Sequence, residues 1–466
     1  MRISRALGSI VCSGAALLAF MSSAAANDVG GNCCADLEER IAELEATTAR
    51  KGNRKVSLTI SGWVNENVIM WDDGTEQNAY VGTNSVEQSR FRFVGEAKIT
   101  SDWSAGYTLE IGTQGHPSNQ WNQNSPASSS ANPNNQDNQV LVRKSFWFVR
   151  SKDWGQVAIG QNGTATYHLL DDADFTLTRN VDDAEGPAIY LSQFQLRANG
   201  LPLGTNRWTD ILRGFNNSTP GDSGRRNVVR YDSPTIANFT GTAAWGEDDL
   251  WDVALVYKNE IGDFSVLARV GYGQSNDPGT QFGNSLGTYV VGGTACISSS
   301  TTSASSLPPP NQNSHQGFEC SWGGAAATIM HTPTGIFVYG GWGKQHIETG
   351  NPATNSLLVE PDSQTWFIQP GIEYKWIPLG KTNIFGMYRH DDPGSNPGRS
   401  VSASVNFWHG GIIQYIDAAE MSLYAVYGHA DGDVIGSAGT AANGIPAGRT
   451  SLDAFQEVIV GAKINF

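Results

Sequence analysis

Between residues 162 and 226 the chain carries charge in two blocks. Asp171, Asp172, Asp174, Asp182, Asp183 and Glu185 fill the first half, and Arg197, Arg207, Arg213, Arg225 and Arg226 fill the second. Clustered carboxylates can stay solvated, hold a divalent ion, or make a field that sorts ions and dipolar solutes. Nucleophilic catalysis is a poor fit. The eight histidines are scattered, and none stands in a Ser/His/Asp context such as a Gly-x-Ser-x-Gly elbow. No Cys/His spacing reads as a zinc site. The residue types call for no metal centre, no cofactor and no enzyme.

The elements that must hold these charges are strands. From Val56 onward, period-two segments alternate with Gly/Asn/Asp/Ser/Pro connections. Candidate strands run over 56–71, 87–100, 102–113, 139–150, 154–161, 227–234, 237–247, 251–259, 263–274, 321–332, 335–346, 363–376, 380–390, 400–417, 420–431 and 454–466. The sum is sixteen, an even number, as in bacterial single-chain barrels. Connections after even strands are short, for example Thr100-Ser101 and Ala418-Ala419. Those after odd strands are often long: 114–138, 162–226, 275–320, 347–362 and 432–453. One connection, Glu247 to Leu250, is short where a long one is expected.

Alternation also assigns faces. Phe91, Phe93, Gly95, Ala97 and Ile99 share one side of the second strand, and Arg90, Arg92, Glu96 and Lys98 the other. On the twelfth strand, Trp366, Ile368, Ile372, Tyr374 and Trp376 oppose Gln369, Glu373 and Lys375. Trp63, Trp251, Tyr257, Tyr272 and Trp376 fall near strand ends, where interfacial aromatics belong. A soluble sandwich alternates in the same way, so alternation alone does not tell inside from outside. Three features favour the membrane. Arg2 and Arg5, the apolar run Ala6 to Phe20 and the Ala24-Ala25-Ala26 site read as a signal peptide over 1–26. The loop lengths alternate in phase. The last strand ends on Phe466, with Val458, Val460, Ala462 and Ile464 on its own face.

The segment 27–55 holds the one helical passage. Leu37, Ile41 and Leu44 recur at coiled-coil spacing over Ala35 to Arg50, which predicts a short periplasmic helix that oligomerises or packs on the rim. No run of about 18 apolar residues offers a spanning helix. The formal charge is −15, and loss of Arg2 and Arg5 with no acid takes it to −17. So acidic a chain is a poor nucleic-acid ligand. Cys296 and Cys320 flank one long polar connection, and a disulfide between them is expected beside the alternative of free thiols. Cys33 and Cys34 are left open between cross-links and free thiols.

The stretches CCADLEERIAELEATTARKGNRKVSLTISGWVN and VIVGAKINF resemble a general porin of Gram-negative bacteria, alphaproteobacterial type. The resemblance spans about Cys33 to Phe466. It implies an all-β, 16-stranded antiparallel transmembrane β-barrel over 56–466 in the outer membrane, usually a homotrimer in contact with lipid and lipopolysaccharide. The barrel would pass small solutes and ions by passive diffusion. Phe466 would be a signal read by the β-barrel assembly machinery. The connection 162–226 would fold inward as the constriction loop, its acids facing an arginine ladder of Arg90, Arg92 and Arg143, with Arg230 a weaker member. The negative charge and the acidic half-loop predict a weak cation preference. The rival is a substrate-selective channel for sugars or anions. A sugar channel needs an aromatic slide, for which Trp147 and Tyr424 are the inward candidates, without a continuous track.

Overall fold

The computed structural model describes residues 56–125, 139–191, 193–212, 219–246, 250–275, 282–283, 288–289, 318–349, 362–393, 401–436 and 444–466. The expected signal peptide, the Ala35–Arg50 helix, Cys33, Cys34, Cys296 and Arg213 lie outside the described residues.

Sixteen strands form one ring. They are β1 (Ser57–Asp72), β2 (Arg90–Lys98), β3 (Trp103–Gln114), β4 (Gln139–Ser151), β5 (Gly155–Gly163), β6 (Arg225–Asp232), β7 (Phe239–Gly246) and β8 (Trp251–Ile261). There follow β9 (Phe264–Ser275), β10 (Phe318–His331), β11 (Ile336–Thr349), β12 (Asp362–Ile377), β13 (Gly380–Asp392), β14 (Val401–Ile416), β15 (Met421–Gly436) and β16 (Phe455–Asn465). Each pairs antiparallel with its successor, and β16 pairs back with β1 from Trp63↔Asn465 to Asp72↔Gln456. Closure leaves no edge strand, which is what hydrocarbon surroundings demand of a sheet. Phe466 completes the seam. Its N–H donates to the Gly62 carbonyl at 3.0 Å, and its carbonyl accepts from Gly62 N–H at 2.9 Å.

Connections after even strands hold two to six residues, the longest being 233–238. The expected phase therefore holds around the ring apart from the exception already visible in the sequence, the short connection 247–250, where Gly246 N–H donates to the Leu250 carbonyl at 2.9 Å. The connection after β1 differs from expectation. A further strand, Gln77–Thr83, folds back on β1 in the register Asp72↔Gln77 to Glu66↔Thr83. The turn between them contains Asp73-Gly74, with Gly74 at φ 84°. Asp-Gly is a strong hairpin signal, and here it is decisive.

The faces come out as a membrane barrel requires. On β12, Trp366 and Trp376 are exposed at 41% and 48%, while Phe367 and Gln369 are buried at 3% and 0%. Large apolar side chains thus point away from the interior, the reverse of a soluble sandwich. Two aromatics depart from the sequence reading. Trp63 turns inward, under Arg90 at 4.5 Å and Lys463 at 4.3 Å from its ring centroid. Trp147 turns outward beside Ile159, so it belongs to no lumenal slide, whereas Tyr424 does face in.

The interior also holds an apolar core. Phe337, Phe367, Phe385 and Phe407 on β11 to β14 are buried against Leu170, Ala173, Val181, Ala184 and Ile189 of the connection 164–224. That core is what draws the long connection into the barrel.

Candidate functional site

One inner wall is basic. Arg90, Arg92 and Arg143 converge on a single carboxylate, Glu110 of β3, which is fully buried. Arg143 Nε donates to Glu110 Oε1 at 3.0 Å and Arg143 Nη1 to Gln88 Oε1 at 2.7 Å. Arg92 Nε donates to Glu110 Oε2 at 2.7 Å. Arg90 reaches Glu87 at 3.0 Å and Glu110 at 3.5 Å. Three guanidinium groups around one acid leave this wall with surplus positive charge. Alternate positions on neighbouring strands produce the cluster, because cross-strand partners such as Arg92↔Glu110 share a face. Arg230 stands apart from these three. It grips Asp232 at 2.8 Å and the carbonyls of Gly163 and Thr164 at 3.0 and 2.9 Å, so it anchors the root of the folded connection.

The connection 164–224 leaves β5, crosses to the far wall and is fastened there. Asp252 of β8 accepts from the Ala165 and Thr166 N–H groups at 2.9 and 2.8 Å. Tyr339 on β11 donates its hydroxyl to the Leu170 carbonyl at 2.9 Å, and Thr328 on β10 donates to Ala173 at 2.7 Å. Glu373 accepts from Leu177 N–H at 2.8 Å, and Gln369 donates to Thr178 at 2.6 Å. Arg389 donates to the Ala184 carbonyl, and Lys463 to the Asn180 side chain. His409 Nδ1 meets both Asp182 oxygens at 3.0 Å. The return limb packs as closely. A Cβ on Gly343 of β11 would collide with the Pro220 carbonyl, and Gly221 sits at φ 102° against the same glycine.

Inside the fold, the predicted acids are largely consumed in contacts. Asp171 binds His168. Asp172 pairs with Arg179 at 2.9 Å and Arg269 at 2.8 Å, and Asp183 pairs with Arg179 at 2.6 Å. Asp174 accepts from Thr176 N–H at 2.8 Å and from the Thr178 hydroxyl. Asp171, Asp174, Asp182, Asp183 and Glu185 are all buried, and only Asp172 is exposed, at 42% of its side chain. Burial pushes the Asp174 carboxyl up to about 6. Burial alone would raise Glu87 as well, but Arg90 and Arg179 outweigh it and lower that carboxyl to about 2.

The arginines of the second block serve position. Arg197 holds Asp73 and Glu76 at 2.7 Å each, tying the loop to the β1 hairpin. Arg225 donates to the Tyr167 hydroxyl at 2.9 Å, and Arg207 donates to Gln193 at 2.6 Å. Cys320 is buried and disulfide-bonded. Sequence reasoning missed Glu110, Glu87 and the loop's own cation, Arg179. Glu110 had a signal: it sits on the inward face of β3, opposite Arg92.

Comparison with known proteins agrees with this architecture. The family model for Gram-negative porins matches residues 14–448. An anion-selective porin from Comamonas acidovorans is similar in structure, with a TM-score of 0.52 at 13% identity over 88% of this chain and 100% of that one. OmpF of Salmonella typhi, solved with daunomycin, gives 0.50 at 12% identity over 88% of this chain and 98% of that one. No curated protein matches the chain. The closed barrel, the inward connection and the family match lead to one conclusion: the chain belongs to the Gram-negative porins, outer-membrane channels for passive diffusion rather than enzymes.

Proposed function

We propose that the pore narrows between the folded connection and the basic wall of Arg90, Arg92 and Arg143, and that it passes small hydrophilic solutes with a weak preference for anions. One observation carries the reading. Five of the six predicted loop carboxylates are buried and the exposed one, Asp172, pairs with Arg179 and Arg269, while Arg92 keeps 36% of its side chain exposed and shares Glu110 with two other arginines. Pairing removes the acids from the field that a passing ion feels, and the surplus cations remain in it. This reading departs from the weak cation preference that the net charge and the acidic half-loop suggest. Arg230 supports the loop root, and Asp171, Asp172, Asp174, Asp182, Asp183 and Glu185 fix the loop in place.

Phe466 acts in assembly and takes no part in transport. The chain functions as a homotrimer in lipopolysaccharide-containing membrane, as the family resemblance implies, with the N-terminal helix on its periplasmic side and Cys320 bridged to Cys296. Liposome swelling with solutes of graded size tests the general pore. A smooth size cutoff supports it, and saturation by one solute points to a selective channel instead.

A further inference from the structure

His409 of β14, Gly428 of β15 and Glu457 of β16 stand in one cross-strand row on the inner wall. A Cβ on Gly428 would lie 2.7 Å from His409 Nε2 and 2.9 Å from Glu457 Cγ, so a residue without a side chain is what lets the two meet over β15. There His409 Nε2 stands 3.8 Å from Glu457 Oε1. The other ring nitrogen, Nδ1, meets both oxygens of Asp182 in the inward connection at 3.0 Å. The three side chains are each at most 1% exposed. Both oxygens of Glu457 are buried without a hydrogen-bond partner. A neutral imidazole has one N–H and serves only one of two carboxylates, whereas an imidazolium donates from both nitrogens. Two buried carboxylates on one imidazole therefore call for a bound proton. The other ionisable groups around the trio are already engaged. Arg389 of β13 is held by Asp391 at 2.9 and 3.0 Å and donates to the Ala184 carbonyl. Asp183 is held by Arg179 at 2.6 Å. The hydroxyls of Tyr190 and Tyr424 donate to the Val181 carbonyl at 2.6 Å and to Asn65 Oδ1 at 2.8 Å.

We propose that His409 is a proton-dependent positioning residue for the inward connection. With its proton, the imidazole seats Asp182, which leads into the short helix Gly186–Leu191, against β14 and β16. Once that proton is lost, two buried carboxylates face a neutral ring, and this part of the connection lifts from the wall. The contact between Arg389 and the Ala184 carbonyl survives, because a guanidinium keeps its charge over the same pH range. The release is therefore local: the connection gains motion around Asp182 and stays anchored beside it. The inference concerns the position of the connection and holds whichever ions the pore prefers.

The test uses the full mature chain in planar bilayers under symmetric potassium chloride, so that ion preference does not enter the readout. Open-channel noise is recorded from about pH 5 to about pH 10, a window that spans imidazole titration on both sides. Wild type should be quiet at the acidic end and turn noisy through one reversible transition as pH rises. His409→Gln should be noisy throughout. His409→Lys, which keeps a cation to higher pH, should stay quiet beyond the wild-type transition. Glu457→Gln removes one of the two charges that hold the proton on the ring, so the transition should move down by about one pH unit. Asp174→Asn, in another part of the connection, should leave it in place. A flat wild-type profile, a transition that survives His409→Gln unchanged, or one that vanishes in Asp174→Asn overturns the proposal. Should His409→Gln fail to refold, Glu457→Gln decides, and a transition at the wild-type pH in that variant contradicts the role of His409.

Discussion

Arg179 of the folded connection holds Glu87, just before β2, at 3.0 Å. This contact joins two parts of the site that come from distant sequence. Glu87 also binds Arg90 of the basic wall, and Arg179 also binds Asp172 and Asp183 of the loop. The chain of charges therefore runs from one wall, through the loop, toward the other wall.

Replacing Arg179 by Ala should remove one cation from three carboxylates at once. Glu87 keeps Arg90 and Asp172 keeps Arg269, but buried Asp183 loses the cation that holds it, and removing one partner of such a buried pair costs about 3 kcal/mol. The loop should loosen while the barrel stays folded. Single-channel recordings should show higher conductance and frequent flickering, and quiet wild-type traces would contradict the assignment.

Asp174 gives a pH dependence with a defined sign. Its carboxyl is raised to about 6 by burial, above the ordinary Asp value of 3.8. The folded state then binds the proton more tightly than the unfolded state does. The ionised carboxylate weakens the loop above about pH 6, and the weakening is relieved as pH falls through 6 towards 3.8. The full span of about two pKa units corresponds to about 3 kcal/mol. Thermal unfolding should show wild type gaining stability between pH 7 and pH 5 relative to Asp174→Asn. An equal pH response in the two proteins would remove Asp174 from this role.

Arg92→Ala should widen the narrow section and reduce the positive surplus around Glu110, leaving Arg90 and Arg143 to hold that acid. Conductance should rise, and the reversal potential in a potassium chloride gradient should move toward cation preference. Unchanged values of both would place the constriction elsewhere.

Deleting Phe466 removes two main-chain hydrogen bonds with Gly62, worth about 2 kcal/mol together. Refolding yield and the heat resistance of the assembled protein should fall. Ion selectivity of the channels that do form should match wild type, and altered selectivity would show that the seam and the pore are coupled.

Much of the barrel is readable from the chain because its rules are local. Period two assigned Arg90 and Arg92 to one face, the family resemblance placed Arg143 beside them, and the loop lengths carried the phase of the sixteen strands; a register shift opposite Glu110 turns Arg143 inward although Trp147, four residues on, points outward. What escaped depends on contacts between distant segments. Trp63 looks like a girdle residue by position, yet two cations on neighbouring strands draw it inward. Phe367 lies between Trp366 and Ile368, and Phe337 between Ile336 and Val338. Such strands are apolar on both faces, the mark of a sheet covered on both sides. That pattern could have located the inner core on β11 and β12, and with it the wall that receives the loop. The pairing of the loop acids with the barrel had no sequence signal, since the partners Arg269 and His409 lie on β9 and β14.

The most direct test of the central claim is the zero-current potential of the wild-type protein across a tenfold potassium chloride gradient in a planar bilayer. Loop acids held in internal contacts and the exposed Arg92 on a wall with more arginine than acid predict a potential of the sign set by chloride. A potential set by potassium would mean that the loop carboxylates govern the field after all, and would contradict the account.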